Sequence, residues 1–207
     1  MKIAYTFDLD CTLTKEEMLP QIAKSIGIYE EIDILTDITM QGLITFDKSF
    51  KLRTKLLSSV PISAVKEIVK KINIDKVIQS FIKENKENCF IVTGNLDIWV
   101  NDLIKSEYNC KYFASEANIC GDKLLNVSKI IKKDEAIKEI RKSFDYIIAV
   151  GDGMNDCPML EAADVAIAFG AYSLPVASLI NVSNYVCYDS LALIKLLNSL
   201  KLHSNEN

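Results

Sequence analysis

Three short apolar runs, each breaking off into polar chemistry, constrain the fold of this chain more than any other feature. They are KIAYTFD (2–8), CFIVTG (89–94) and YIIAVGDG (146–153). Each is strand-length and stays apolar at successive positions, as a strand covered on both faces of a parallel sheet does. DVAIAFG (164–170) and NYVCYD (184–189) are two more such runs, and KYFAS (111–115) is a further strand. Helical periodicity fills the intervals at 75–86, 96–106, 132–143, 154–163 and 190–202. ANICGDKLLNV (117–127) places Gly-Asp between two β-like runs and predicts a hairpin. This alternation predicts an α/β fold with a Rossmann-like, mainly parallel sheet flanked by helices.

One block departs from the alternation. Residues 15–72 read as helix throughout, punctuated by Gly27, Gly42 and Pro61. The expected organisation is therefore a core of residues 1–14 and 73–207, with a helical segment, 15–72, inserted after the first strand. A length of 207 residues suits one domain with a smaller insert.

Composition removes several function classes. The net charge is −4 and no basic stretch reads as a nucleic-acid groove. No apolar run approaches the roughly 18 residues of a membrane span. The first apolar stretch is too short for a signal peptide and is broken by Asp8 and Asp10, so a cytoplasmic location is expected. The six cysteines form no C-x-x-C pair, which fits reduced thiols. His203 is the single histidine, which excludes a Ser-His-Asp triad and a histidine-ligated zinc site.

In an open parallel sheet, ligands bind beyond the carboxyl ends of the strands. Asp8 and Asp10 end the first run, two residues apart and so on one side of extended chain. Adjacent carboxylates repel unless a cation lies between them. GDGMND (151–156) adds Asp152, Asn155 and Asp156 at a helix start, where Asp and Asn also serve as ordinary caps. It is not G-x-G-x-x-G, because residue 156 is Asp, and the chain has no P-loop. Thr93 and Gly94 supply a hydroxyl and exposed N–H groups at a strand end, a small anion cradle. Each feature alone is common. Together, acids from two strands make a Mg2+ site, since hard cations take carboxylate oxygens, and the Thr-Gly turn with a lysine makes a phosphate site.

In order along the chain, FDLDCT (7–12), VTG (92–94), Lys133 and GDGMND (151–156) resemble the four motifs of the haloacid dehalogenase superfamily of phosphatases. The resemblance implies a Mg2+-dependent phosphomonoester hydrolase. Asp8 would be the nucleophile, forming an aspartyl-phosphate, and Asp10 the general acid and base. Asp8, Asp10 through its carbonyl, and Asp152 would hold the metal with Asp156 close by. Thr93, Gly94, Lys133 and Asn155 would bind the phosphate.

An insert at 15–72 is where this superfamily carries its cap, and a four-helix cap resembles the phosphoserine phosphatase branch. There the resemblance assigns substrate contacts to Glu17, Met40, Phe46 and Arg53, with Glu17 on an ammonium and Arg53 on a carboxylate. Glu17 and Arg53 can also be read as solvated helix charges, and Met40 and Phe46 as packing residues. The branch reads Ser-Gly-Gly where this chain has Thr93-Gly94-Asn95, so Asn95 adds a side chain near the substrate. Cys11 and Cys157 have no part in the pattern. The expected partner is a small phosphorylated metabolite, phosphoserine or a similar amino-acid phosphate. Another small phosphate ester, such as a sugar phosphate, is the alternative substrate. A non-catalytic binding protein on this fold is disfavoured by the intact Asp8, Asp10, Lys133 and Asp152.

Overall fold

The computed structural model describes residues 1–203. Its centre is a sheet of β1 (Ile3–Phe7), β2 (Cys89–Leu96), β3 (Lys111–Cys120), β4 (Lys123–Lys129), β5 (Tyr146–Gly151), β6 (Val165–Phe169) and β7 (Tyr185–Cys187). The strand order is β4-β3-β2-β1-β5-β6-β7. Every neighbouring pair is parallel except β3 with β4. The chain winds outward from β1 through β2 and β3, then returns to β5 and winds the other way. The order therefore reverses beside β1, and the ends of β1, β2 and β5 flank a crevice of the kind that binds ligands.

The buried runs have a physical cause. Ile3, Tyr5 and Phe7 enter one hydrophobic cluster, and Ala4 enters the other. The first face carries α5 (Lys76–Glu84), α6 (Asp97–Glu107) and α10 (Ser190–His203). Tyr5 meets Phe81 of α5 edge to face, at 5.1 Å between centroids. The second face carries α7 (Lys133–Ile140), α8 (Cys157–Ala162) and α9 (Ala177–Val182). There the sheet presents the small residues Ala4, Ala149, Ala166 and Ala168, which lets these helices lie close.

Between β1 and β2 run α1 (Met18–Lys24), α2 (Tyr29–Met40), α3 (Phe46–Leu57) and α4 (Ile62–Val69), followed by α5. Gly42, at φ +75°, ends α2 in a Schellman turn: its N–H donates to Thr39, and that of Leu43 to Ile38. The chain segments leading into and out of these four helices are tied to each other. The Lys15 N–H donates to the Asn73 carbonyl, and the Asp75 N–H to the Leu13 carbonyl, both at 2.8 Å. Asp75 then caps α5 through the N–H groups of Val77 and Ile78 and accepts hydroxyls from Tyr172 and Ser190.

Three details differ from the sequence expectation. KYFAS and the first arm of the hairpin are one strand, β3, parallel to β2 in its first half and antiparallel to β4 in its second. Gly121, at φ +57°, is the first of the two loop residues. β2 does not stop at Thr-Gly but runs to Leu96, with its register to β3 broken between Val92 and Leu96. α9 was not expected: its six residues carry no capping side chain at Val176.

Candidate active site

The sheet brings the motifs together. Asp8 follows β1, and its N–H continues the ladder to Val150 of β5 at 2.9 Å. Asp152 and the 3-10 turn Met154–Asp156 follow β5. Lys133 is the first residue of α7. Its ammonium donates to Asp8 Oδ1 and Asp156 Oδ1, each at 2.5 Å, with all three side chains buried. The other Asp156 oxygen accepts the N–H groups of Asp152 and Gly153, at 3.1 and 3.0 Å. Asp156 is thus a brace for the loop and the lysine. A Cβ on Gly151 would lie 2.6 Å from that carboxyl, so glycine is required there.

Asp152 accepts hydroxyls from Thr12 at 3.3 Å and Ser173 at 2.6 Å. Ser173, in the loop after β6, carries no motif and was not found from sequence. Asp8, Asp152 and Asp156 each place a carboxylate oxygen within 4.8 Å of the others. Burial, then the charge of Asp156, raises the Asp8 pKa well above its usual value despite Lys133, and burial and Asp156 do the same at Asp152. Lys133 resists the opposite effect: burial lowers its pKa, but Asp156 and Asp8 raise it further, so it stays charged. A buried, all-oxygen set held above its natural pKa fits a hard divalent cation.

A cavity of about 360 Å3 opens over these groups. Thr93, Gly94 and Asn155 line it, and Asp10 lies at its wall. Asp10 Oδ2 accepts from Asn95 Nδ2 at 2.9 Å, while its Oδ1 is buried with no partner. Burial and the neighbouring Asp8 push Asp10 up to about 7.

The helical segment reaches the same cavity. Phe46, at the start of α3, packs on Gly94, where an added Cβ would meet its ring at 2.6 Å. Phe46 stacks on Phe50 at 5.4 Å. Arg53 is buried, donates to Thr36 at 3.0 Å, and leaves its Nε without a partner. Glu17 precedes α1 and lines the cavity; burial and Asp10 push it up to about 8, against the pull of Arg53. Neither Glu17 nor Arg53 is a solvated surface charge. Met40 is the last residue of α2, and its side chain lies outside the described residues. Cys11 is buried at φ +51°, and burial raises its thiol pKa, which makes it unreactive. Among the described residues no helix is long and apolar enough to cross a membrane.

A doubly wound sheet with two acids after its first strand, a buried lysine and an acidic loop after β5 defines a hydrolase of the haloacid dehalogenase type. Residues 6–161 match the haloacid dehalogenase-like hydrolase family, and the chain belongs to it. The phosphoserine phosphatase of Methanocaldococcus jannaschii is 34% identical over 178 residues, spanning 80% of this chain and 84% of that protein. The structure of a phospho-aspartyl intermediate analogue of phosphoserine phosphatase superposes with a TM-score of 0.79 at 30% identity, covering 91% of this chain and 93% of that one. A substrate-bound phosphoserine phosphatase complex matches equally, with a TM-score of 0.79, 30% identity and the same 91% and 93% coverage.

Proposed function

We propose that this protein is a Mg2+-dependent phosphomonoesterase that works through an aspartyl-phosphate, with phosphoserine or a similar small amino-acid phosphate as its substrate. The observation that carries the reading is the pairing of Asp8 with Lys133 at 2.5 Å beside an Asp10 whose Oδ1 has no partner. That pairing joins a nucleophile held by a cation to an acid with one oxygen free. The relatives and solved structures support the substrate class.

In this reading Thr93, Gly94, Lys133 and Asn155 hold the phosphoryl oxygens. Asp8 attacks phosphorus, the ester P–O bond breaks, and the departing oxygen takes a proton from Asp10. Asp10, now a carboxylate, takes a proton from a water whose oxygen attacks phosphorus, and the bond to Asp8 breaks. The sum is phosphoserine and water giving serine and phosphate. Asp8, Asp152 and the Asp10 carbonyl would hold Mg2+, with Asp156 bracing the site. The bound cation supplies neutralisation of phosphoryl charge.

Residues 15–72 act as a cap over the catalytic core, 1–14 and 73–207. Glu17, Phe46 and Arg53 of that segment line the cavity, which supports the assignment. Glu17 would take the substrate ammonium and Arg53 its carboxylate, with Phe46 as an apolar contact. The six free cysteines fit a reducing, cytoplasmic setting. The test is kcat/KM across a panel of phosphorylated metabolites with Mg2+. Phosphoserine should rank first, and strong activity on a phosphosugar beside poor activity on phosphoserine would remove the amino-acid reading.

A further inference from the structure

Asn95 stands where β2 ends, buried at 3% exposure. Its backbone N–H donates to Thr93 Oγ1 at 3.2 Å. One amide hydrogen of its side chain reaches Asp10 Oδ2 at 2.9 Å. The other lies between Thr93 Oγ1, at 3.4 Å, and Met18 Sδ, at 3.6 Å. With Asp10 ionised, or with its proton on Oδ1, Oδ2 can only accept, so the amide NH2 faces Asp10, and turning the side chain over would set oxygen against oxygen. The asparagine is therefore fixed on both sides.

Asp10 has less support of its own. It lies beyond the end of β1, next to a residue in the left-handed region, Cys11 at φ +51°. Its carboxyl could turn about its short stem and exchange its two oxygens. The Asn95 amide removes that freedom by occupying Oδ2, which leaves Oδ1 as the unpartnered oxygen.

We propose that Asn95 is a positioning residue for the acid–base step: it holds Asp10 Oδ2 as an acceptor throughout, so that Oδ1 carries the proton to the departing ester oxygen and later receives one from water. A glycine at this position offers no such donor. The inference rests on the reading of Asp10 as the general acid and base.

The test is steady-state kinetics of Asn95→Ala, Asp10→Asn and the double variant, with Mg2+, on phenyl phosphate and p-nitrophenyl phosphate. These esters match in shape but differ in how much the leaving oxygen needs a proton. Asn95→Ala should lower kcat on phenyl phosphate about tenfold more than on p-nitrophenyl phosphate, with little change in KM. It should cost almost nothing further in the Asp10→Asn background. Asn95→Leu, which keeps the branched four-atom skeleton and lacks the donor, should behave like the alanine variant and stands in for it if alanine unfolds the protein. An even loss on both esters for Asn95→Ala, beside an uneven one for Asp10→Asn, overturns the inference alone. So does a loss that persists at full size in the double variant. An even loss for Asp10→Asn removes the acid–base reading and this inference with it.

Discussion

Replacing Lys133 by methionine keeps most of the side-chain volume and deletes one charge. The structure fixes what that charge does. The ammonium sits 2.5 Å from Asp8 and from Asp156, and the three side chains are 4%, 7% and 0% exposed. Two carboxyls would be left buried without it. Breaking a buried pair by removing one partner costs about 3–5 kcal/mol, because the remaining charge has neither water nor counter-ion. For a chain of this size each kcal/mol moves Tm by about 2–4 °C, so Lys133→Met should melt about 6–20 °C lower in the absence of divalent cations. The deficit has a direction in pH. Asp8 already has a raised pKa in the folded protein, so folding favours its protonated form. Such a group penalises the folded state as pH rises from the unfolded value upward, and the penalty is relieved as pH falls. The variant should therefore recover part of its deficit on acidification. Mg2+ should also raise its Tm more than that of the unmodified protein. Circular-dichroism melts at several pH values, with and without Mg2+, measure all of this. A Tm within about 2 °C of the unmodified protein near neutral pH would refute the claim that these acids depend on Lys133.

Asp8→Asn should abolish turnover while leaving the circular-dichroism spectrum intact, since an amide keeps the shape and loses the nucleophile; steady hydrolysis by a variant of verified mass would remove Asp8 from that role. Arg53→Ala should lower kcat/KM on phosphoserine at least about tenfold and far less on p-nitrophenyl phosphate, which has no carboxylate to hold; parallel losses would make Arg53 a structural residue. Gly94→Ala puts a Cβ 2.6 Å from the Phe46 ring, so the ring must move; KM for phosphoserine should rise with a stability loss of about 1–3 kcal/mol, read from urea melts. Chelation by EDTA should abolish activity on phosphoserine and p-nitrophenyl phosphate alike, with Mg2+ restoring both; full activity in chelator would exclude the metal site.

The central strands β1, β2, β5 and β6 were legible because they are buried on both faces, so their apolar runs need no alternation to be seen. The acids were legible because each follows such a run. β3 was harder to read: EANIC after KYFAS mixes polar and apolar residues, since that half leaves the buried sheet and only pairs with β4. Ser173 was invisible, because a serine in a loop after β6 carries no pattern, and only the fold sets it 2.6 Å from Asp152. Asn95 was legible as a departure from the pattern but not in its effect. Whether it would intrude on the substrate or turn aside depends on the path of β2 beyond Val92, where the strand register breaks. Tertiary placement decided that question, as it did the burial of Arg53 and its contact with Thr36.

The charges around the cavity are sorted by place. Asp8 and Asp152 gather with Lys133 at its floor, braced by the buried Asp156, while Glu17, Asp47 and Arg53 come from the helical segment. A phosphate dianion entering a floor of carboxylates meets repulsion of about 4 kcal/mol for each like pair at about 4 Å and an effective dielectric of about 20. Burial first, and the same crowding of carboxylates second, raise the pKa values of Asp8, Asp10, Glu17 and Asp152. In the proposed reading, chemistry at the floor would depend on cationic neutralisation and be indifferent to what the phosphate is attached to. Discrimination has to come from the other group. There Arg53 keeps an unpartnered Nε, and burial pushes the Glu17 pKa up to about 8, an effect that an ammonium beside it would offset. On that reading, a ligand with a carboxylate and an ammonium would pair both, whereas a ligand with a neutral tail would pair neither and leave the buried Arg53 Nε unmet. A site built to bond such groups rejects analogues that lack them far more strongly than an apolar pocket rejects a missing methylene. In the proposed reading, Glu17 and Arg53 would select a zwitterionic phosphate, and the acids of the sheet would carry out its hydrolysis.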